Sequence, residues 1–303
     1  MNQMKNGQVG PLPPDAATVI LTRENKAGSF DIFLMRRHRD QTFMGNAFVF
    51  PGGRLDKADL EPGLADYAQG LSAGEARLKL NEPDLSAEKA LGLFFAAVRE
   101  TFEESGVLLA APAVNGQAEF QYVETDGRFD SCRKKLHERE MSLKELAEKE
   151  NLLYTLDLLT PYAHWITPEI ESKRFNTRFL LARMPRRQVP IHDSIEMTES
   201  LWITPQEALT RHEAGGILLM PPTLKTVEEL SEFSSSARLV AAAEARKPYP
   251  ILPQVAPKGD GFVIKLPHDP EYTIEGYKQP PRPEEKSRVG MIDGRWRTLR
   301  FEG

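Results

Sequence analysis

Arg99-Glu100-Thr101-Phe102-Glu103-Glu104-Ser105-Gly106-Val107 is the stretch that decides the fold of this chain. It closes the segment Leu91 to Glu104, whose apolar residues recur with helical period, and Gly106 is placed to end the helix as a left-handed C-cap. At 100° per residue, Glu100, Glu103 and Glu104 share one narrow face, while Leu91, Phe94, Phe95, Val98 and Phe102 fall on the other and anchor the helix in a core. Ala96 and Ala97 flank the glutamates and leave room for close approach. Three carboxylates within about a turn repel one another, and they sit at the helix end where the dipole disfavours negative charge. A hard divalent cation bound through oxygen would relieve both penalties. A solvated acidic face is the ordinary explanation for such a triplet, so the residues around it have to decide.

Upstream, Ala16–Arg23 and Asp31–Arg36 are short β-branched or apolar runs joined through Gly28, a hairpin pattern. A third run, Ala47–Phe50, ends at Pro51-Gly52-Gly53, where the chain must turn sharply. Residues 54–89 are polar and helix-compatible, as are 128–151. Strands are expected at 158–166, 178–183 and 200–203. Thr204-Pro205-Gln206-Glu207 carries helix-start chemistry, with helices expected at 206–213 and 223–245. Prolines recur beyond Lys247, and only 259–266 reads as a strand there. Strands and helices interleave without a strict βαβ rhythm, which favours a mixed α/β layer fold.

Composition narrows the function classes. The 303 residues carry Lys+Arg 39 against Asp+Glu 44, a net charge of −5. With no long basic run, nucleic acid is not an expected partner. No apolar run approaches the roughly 20 residues that span a bilayer. The first residues lack a charged-then-apolar signal pattern, so a cytoplasmic protein is expected. A single cysteine, Cys132, excludes a multi-cysteine zinc site, and with no histidine–aspartate partner in evident register it is not expected to be a nucleophile.

Residues 99–107 resemble the second half of the Nudix box, G-x5-E-x7-R-E-U-x-E-E-x-G-U, in which U is a bulky aliphatic residue, and Phe50-Pro51-Gly52-Gly53 resembles the turn that opens it. The chain departs from the pattern in three ways. Gly53 and Arg99 are separated by 45 residues where the pattern has 13, an excess of 32. Counted back from the arginine, the first glutamate is replaced by Leu91, which removes a structural partner of Arg99 and no metal-holding carboxylate. The aliphatic position is Thr101. An interrupted box is similar to the Nudix branch related to the peroxisomal acyl-CoA diphosphatases. Residues 43–53, Trp165-Ile166-Thr167-Pro168, Lys173–Thr177 and Met220-Pro221-Pro222-Thr223-Leu224 resemble that branch too.

The resemblance implies an α/β fold: a Nudix α/β/α sandwich with a mixed β-sheet over 14–240, helical insertions at about 54–90 and 111–155, and a C-terminal extension, 241–303, packed on it. It implies divalent-metal-dependent hydrolysis of a nucleoside diphosphate derivative, with CoA or acyl-CoA as the expected substrate and ADP-ribose or a dinucleotide as the alternative. A Nudix-like module that binds nucleotide without cleaving it is the non-enzymatic alternative, and the full glutamate set argues against it. Glu100, Glu103 and Glu104 would hold Mg2+ or Mn2+, with the carbonyl of Gly53 as a further ligand, and Gly52 and Gly53 would line the substrate. Arg99 pairs with or orients Glu103. The general base lies either in the box, where Glu103 is the candidate, or in a later loop, where Glu196 and Glu199 are.

Arg36, Arg37, His38 and Arg39 form the densest basic cluster, suited to an extra phosphate such as the 3′-phosphate of CoA. A basic surface loop explains them equally well, and strand alternation should aim only some of them inward. Arg174 and Arg178 are further phosphate candidates, with a cross-strand ion pair as the default. Phe43 is a candidate for stacking on a base, whereas His164 and His192 are expected to be structural. The insertion is open to two roles, shaping a pocket or making a homodimer contact.

Overall fold

The computed structural model describes residues 13–40, 44–114, 117–118, 127–193, 196–259 and 261–302. Its centre is β1 (Asp15–Glu24), which turns back through Asn25–Ser29 into antiparallel β2 (Phe30–Arg37). β3 (Phe48–Val49) pairs with β2, and β4 (Gly52–Arg54) returns along β1. After two 3-10 turns, Lys57–Leu60 and Leu64–Tyr67, come α1 (Ala73–Leu80) and α2 (Ala87–Ser105). β5 (Ala110–Val114), β6 (Gln117–Ala118), α3 (Gly127–His137), α4 (Leu143–Glu150) and β7 (Leu152–Tyr154) follow.

Next come β8 (Thr160–Ile166), β9 (Asn176–Arg183) and β10 (Met197–Ile203), then α5 (Pro205–Glu213), α6 (Pro221–Ser231) and α7 (Ser236–Ala245). The chain ends in β11 (Pro250–Ile251), β12 (Gln254–Lys258), β13 (Gly261–Lys265), β14 (Lys286–Ile292) and β15 (Arg295–Arg300).

The main sheet runs β10-β2-β1-β9-β8-β11. It is mixed: β1 and β9 are parallel, as are β8 and β11, while β1 with β2, β2 with β10 and β8 with β9 are antiparallel. Alternation splits its side chains between two cores. Val19, Leu21, Phe33, Met35 and Leu180 pack under α2. Ile20, Ile32, Leu34, Phe179 and Leu181 pack under α5, α6 and α7 on the other side. Helices therefore cover both faces, the α/β/α arrangement expected.

α2 begins at Ala87, capped by the Ser86 hydroxyl, four residues before the periodic stretch, and ends where Gly106 adopts φ 71°. It is buried on nearly every side. The insertions wrap its outer face: Phe95 meets Tyr154 and Phe102 meets Phe129, both edge to face, and Cys132 and Leu146 pack alongside. Ala96 and Ala97, expected to leave an approach open, are fully buried in this packing.

Two local expectations need correction. The helix expected over 223–245 divides, since Ser235 starts a new helix as N-cap. Beyond Lys247 the chain forms a four-stranded antiparallel sheet, β12-β13-β14-β15, where one strand was expected. Its last hairpin turns at Asp293-Gly294, both with positive φ. That is the two-residue signal for a primed turn, hidden in the sequence by flanking arginines. Among the described residues, no helix is long and apolar enough to cross a membrane.

Candidate active site

The carboxylate face of α2 looks onto β4, and their spacing depends on the absence of side chains at the turn. A Cβ on Gly53 would overlap the Glu100 carboxylate, and one on Gly52 would run into the backbone of Ala17 and Thr18. The Gly52 amide donates to Glu104 Oε2 at 2.8 Å, joining turn and helix. Gly53→Ala is therefore expected to displace Glu100 and to lower kcat about a hundred-fold, the typical cost of a 1 Å misplacement. Steady-state kinetics on a variant with unchanged circular dichroism would check this.

Arg99 organises the rest. Its Nε and Nη2 donate to the two oxygens of Asp59 at 2.8 and 2.9 Å. Its Nη1 donates to Glu100 at 2.9 Å and Glu103 at 3.2 Å, and Nη2 also reaches the Arg54 carbonyl at 2.8 Å. All five guanidinium N–H groups are thus engaged within the protein. No donor of Arg99 is left for a substrate.

Asp59 went unnoticed in the sequence. Five residues, 54–58, separate it from Gly53, so it holds the box's first acidic position when the pattern is counted forward from the glycine. Leu91, at the position counted back from Arg99, is core. All 32 extra residues therefore lie between Asp59 and Arg99. Asp59 is locked by a reciprocal cap, accepting from the Asp56 amide at 2.8 Å. Arg133, from the second insertion, also escaped notice: its Nε donates to the Glu103 carbonyl at 2.9 Å, a cation at the C-terminal end of α2.

Burial sets the electrostatics. Loss of water pushes the Glu100 carboxyl up to about 7, with Glu103 adding repulsion against the pull of Arg99. Desolvation also raises Glu103, and raises Glu104 well above the ordinary carboxylate range, where Glu100 adds repulsion and the Gly52 amide opposes it. Asp59 is raised by burial as well, against its bonds to Arg99. Three carboxylates, Asp59, Glu100 and Glu103, thus share one guanidinium, and the buried Glu104 stands beside them on the Gly52 amide. That all-oxygen set, with its excess of negative charge, fits a hard divalent cation. Among the described residues no three acidic, imidazole or thiol groups already converge in ligand geometry. Glu100 and Glu103 lean on Arg99 and Glu104 on Gly52, bonds that engage one oxygen of each carboxylate.

These groups open into a cleft of about 1460 Å³. Arg37 and Glu196 line it; Arg37 draws the Glu104 carboxyl down and Glu196 pushes it up. Arg36 and Glu199 do not line it. They are register partners on β2 and β10 and form a half-exposed ion pair of 3.2 Å, because strand alternation turns Arg36 away from the side Arg37 takes. Arg39 is exposed beside Asp40. Arg178 is buried between Asp15 and Glu82 as an ion pair, and Arg174 donates to the Thr167 carbonyl. His164 bonds Asn176, His192 bonds Ser200 and Cys132 is buried against Lys149. Phe43 lies outside the described residues.

The family profile described as the NUDT19 Nudix domain matches residues 14–230. The chain belongs to this Nudix family. It is 24% identical over 278 residues to the acyl-coenzyme A diphosphatase NUDT19 of Xenopus laevis, covering 82% of this chain and 73% of that protein. Identity to the Homo sapiens protein of the same name is 29% over 292 residues, covering 86% and 76%. A NUDIX hydrolase from Alicyclobacillus acidocaldarius shares the fold, with a TM-score of 0.63 at 22% identity over 77% of this chain and 97% of that one. As a Nudix hydrolase, a family that acts on diphosphate bonds and generally uses divalent metal ions, the chain carries its box as Gly53, Asp59, Arg99, Glu100, Glu103 and Glu104, split by the insertion.

Proposed function

We propose that this protein is a Mg2+- or Mn2+-dependent diphosphatase that cleaves the phosphoric anhydride of CoA or an acyl-CoA. The products would be adenosine 3′,5′-bisphosphate and (acyl-)phosphopantetheine. One observation carries the metal-dependent reading: Glu100, Glu103 and Glu104 are held, desolvated, against the Gly52-Gly53 turn with one fully engaged arginine among them. The choice of substrate rests on the names of the curated relatives.

A divalent cation in this site would neutralise the diphosphate oxygens and lower the pKa of an attacking water. Glu100, Glu103 and Glu104 are the residues that would hold it. Arg99, fixed by Asp59, keeps Glu100 and Glu103 from swinging away. Glu196, from the loop before β10, lines the cleft within electrostatic reach of Glu103 and Glu104, and would take the proton of the water in preference to Glu199, which does not line it. Arg37, the member of the basic cluster that lines the cleft, would bind a phosphate.

The test is turnover of CoA, octanoyl-CoA, ADP-ribose, NADH and diadenosine polyphosphates with Mg2+ or Mn2+, and again after EDTA. CoA or its ester should be cleaved fastest, and chelation should abolish turnover until metal is restored. Faster cleavage of ADP-ribose would move the substrate assignment. Tight binding of one compound with no turnover of any would make the protein a nucleotide-binding module.

A further inference from the structure

The same cleft has a second end of different chemistry. Its wall there comes from Pro253, Val255, Phe262, Ile264 and Trp296, beyond residue 230 where the family profile stops. These residues carry no charge, and Trp165, Phe179 and Met220 of the Nudix domain line the cleft with them. The wall is anchored: Ile264 and Trp296 belong to the core under α5 and α6, and the buried His212 imidazole bonds the Trp296 carbonyl at 2.9 Å. Phe262 packs on Trp296 with ring centroids 6.1 Å apart, yet stays 45% exposed. A large ring left in water inside a cleft gains by being covered. At about 1460 Å³ the cleft also exceeds the usual 300–1,000 Å³ of a small-molecule site.

We propose that the C-terminal sheet forms a subsite for the acyl chain of the substrate, so that β12, β13 and β15 set the preference for acylated over free substrate. This rests on the reading of the substrate as CoA or its esters. An unbranched hydrocarbon chain asks only for apolar contact, which Val255, Phe262 and Ile264 offer. An adenine ring in the same place would find no hydrogen-bond partner on Val255, Phe262 or Ile264.

The experiment uses the full chain and its Phe262→Ser and Val255→Ser variants. It compares kcat/KM for free CoA with that for acetyl-, octanoyl- and dodecanoyl-CoA, and measures equilibrium binding of the same series in EDTA, where nothing turns over. Wild-type kcat/KM and affinity should rise at least about ten-fold from acetyl to octanoyl, since each buried methylene is worth roughly a few-fold. In the variants that rise should shrink about three-fold or more, with free CoA within two-fold of wild type. A chain-length dependence that is flat in the wild type, or identical in wild type and variants, overturns the subsite. So does equal loss on free and acylated CoA. Failure of the substrate reading looks different: free CoA and its esters are not cleaved, and the EDTA titration still decides whether the apolar wall takes a chain.

Discussion

Replacing Glu103 and Glu104 together by glutamine is expected to lower kcat on the order of a thousand-fold while leaving the metal-free protein as stable as wild type or more so. The catalytic loss follows from removing the charge that would hold the cation, whose neutralisation of the diphosphate is worth several kcal/mol in the transition state. The stability expectation follows from burial. Both carboxyls are pushed toward their neutral form by lost solvation, and a neutral amide of the same shape does not carry that penalty. The two effects are read separately, by initial rates at saturating metal and by thermal unfolding in EDTA. Turnover that survives the double substitution would remove the metal-helix mechanism.

Asp59→Ala is expected to be the most destabilising single change at the site. It strips the bidentate partner from a guanidinium that is 9% exposed. Removing one member of a buried pair typically costs about 3–5 kcal/mol, because the other charge stays buried. A fall in Tm of about 10 °C is the expected scale for a domain of this size. Asp59→Asn separates positioning from stability: it keeps the shape but weakens the hold on Arg99. At a temperature where the variant is folded, kcat should fall at least about ten-fold with KM changed little, and Asp59→Glu should recover part of the loss. An Asp59→Asn enzyme with wild-type kcat would show that Arg99 positions Glu100 and Glu103 unaided.

Much of the site was legible because helical and strand geometry are local. The spacing of Glu100, Glu103 and Glu104 assigns them to one face of a helix wherever that helix lies, and Gly52-Gly53 announces a close approach before its neighbour is known. Arg37 and Arg36 could be separated in principle by alternation, but which side faces the cleft depends on β10, over 160 residues away. Strand β15 was hidden because three arginines and a threonine share it with its one core tryptophan, so its alternation is weak.

By itself, the sequence determined the helix, its carboxylate face, the glycine turn before it and the membership of the two in one interrupted box. Those properties depend on bond geometry and on residues within a few turns of each other. Only the tertiary structure decided that Asp59, 40 positions from Arg99, is its ion-pair partner. It also decided that the carboxylates are desolvated, which raises their pKa values, and that Glu196 rather than Glu199 lines the cleft. The far end of that cleft is closed by strands outside the family domain. Desolvation and cleft geometry arise from surfaces brought together across long stretches of chain, and no local pattern encodes which surface arrives.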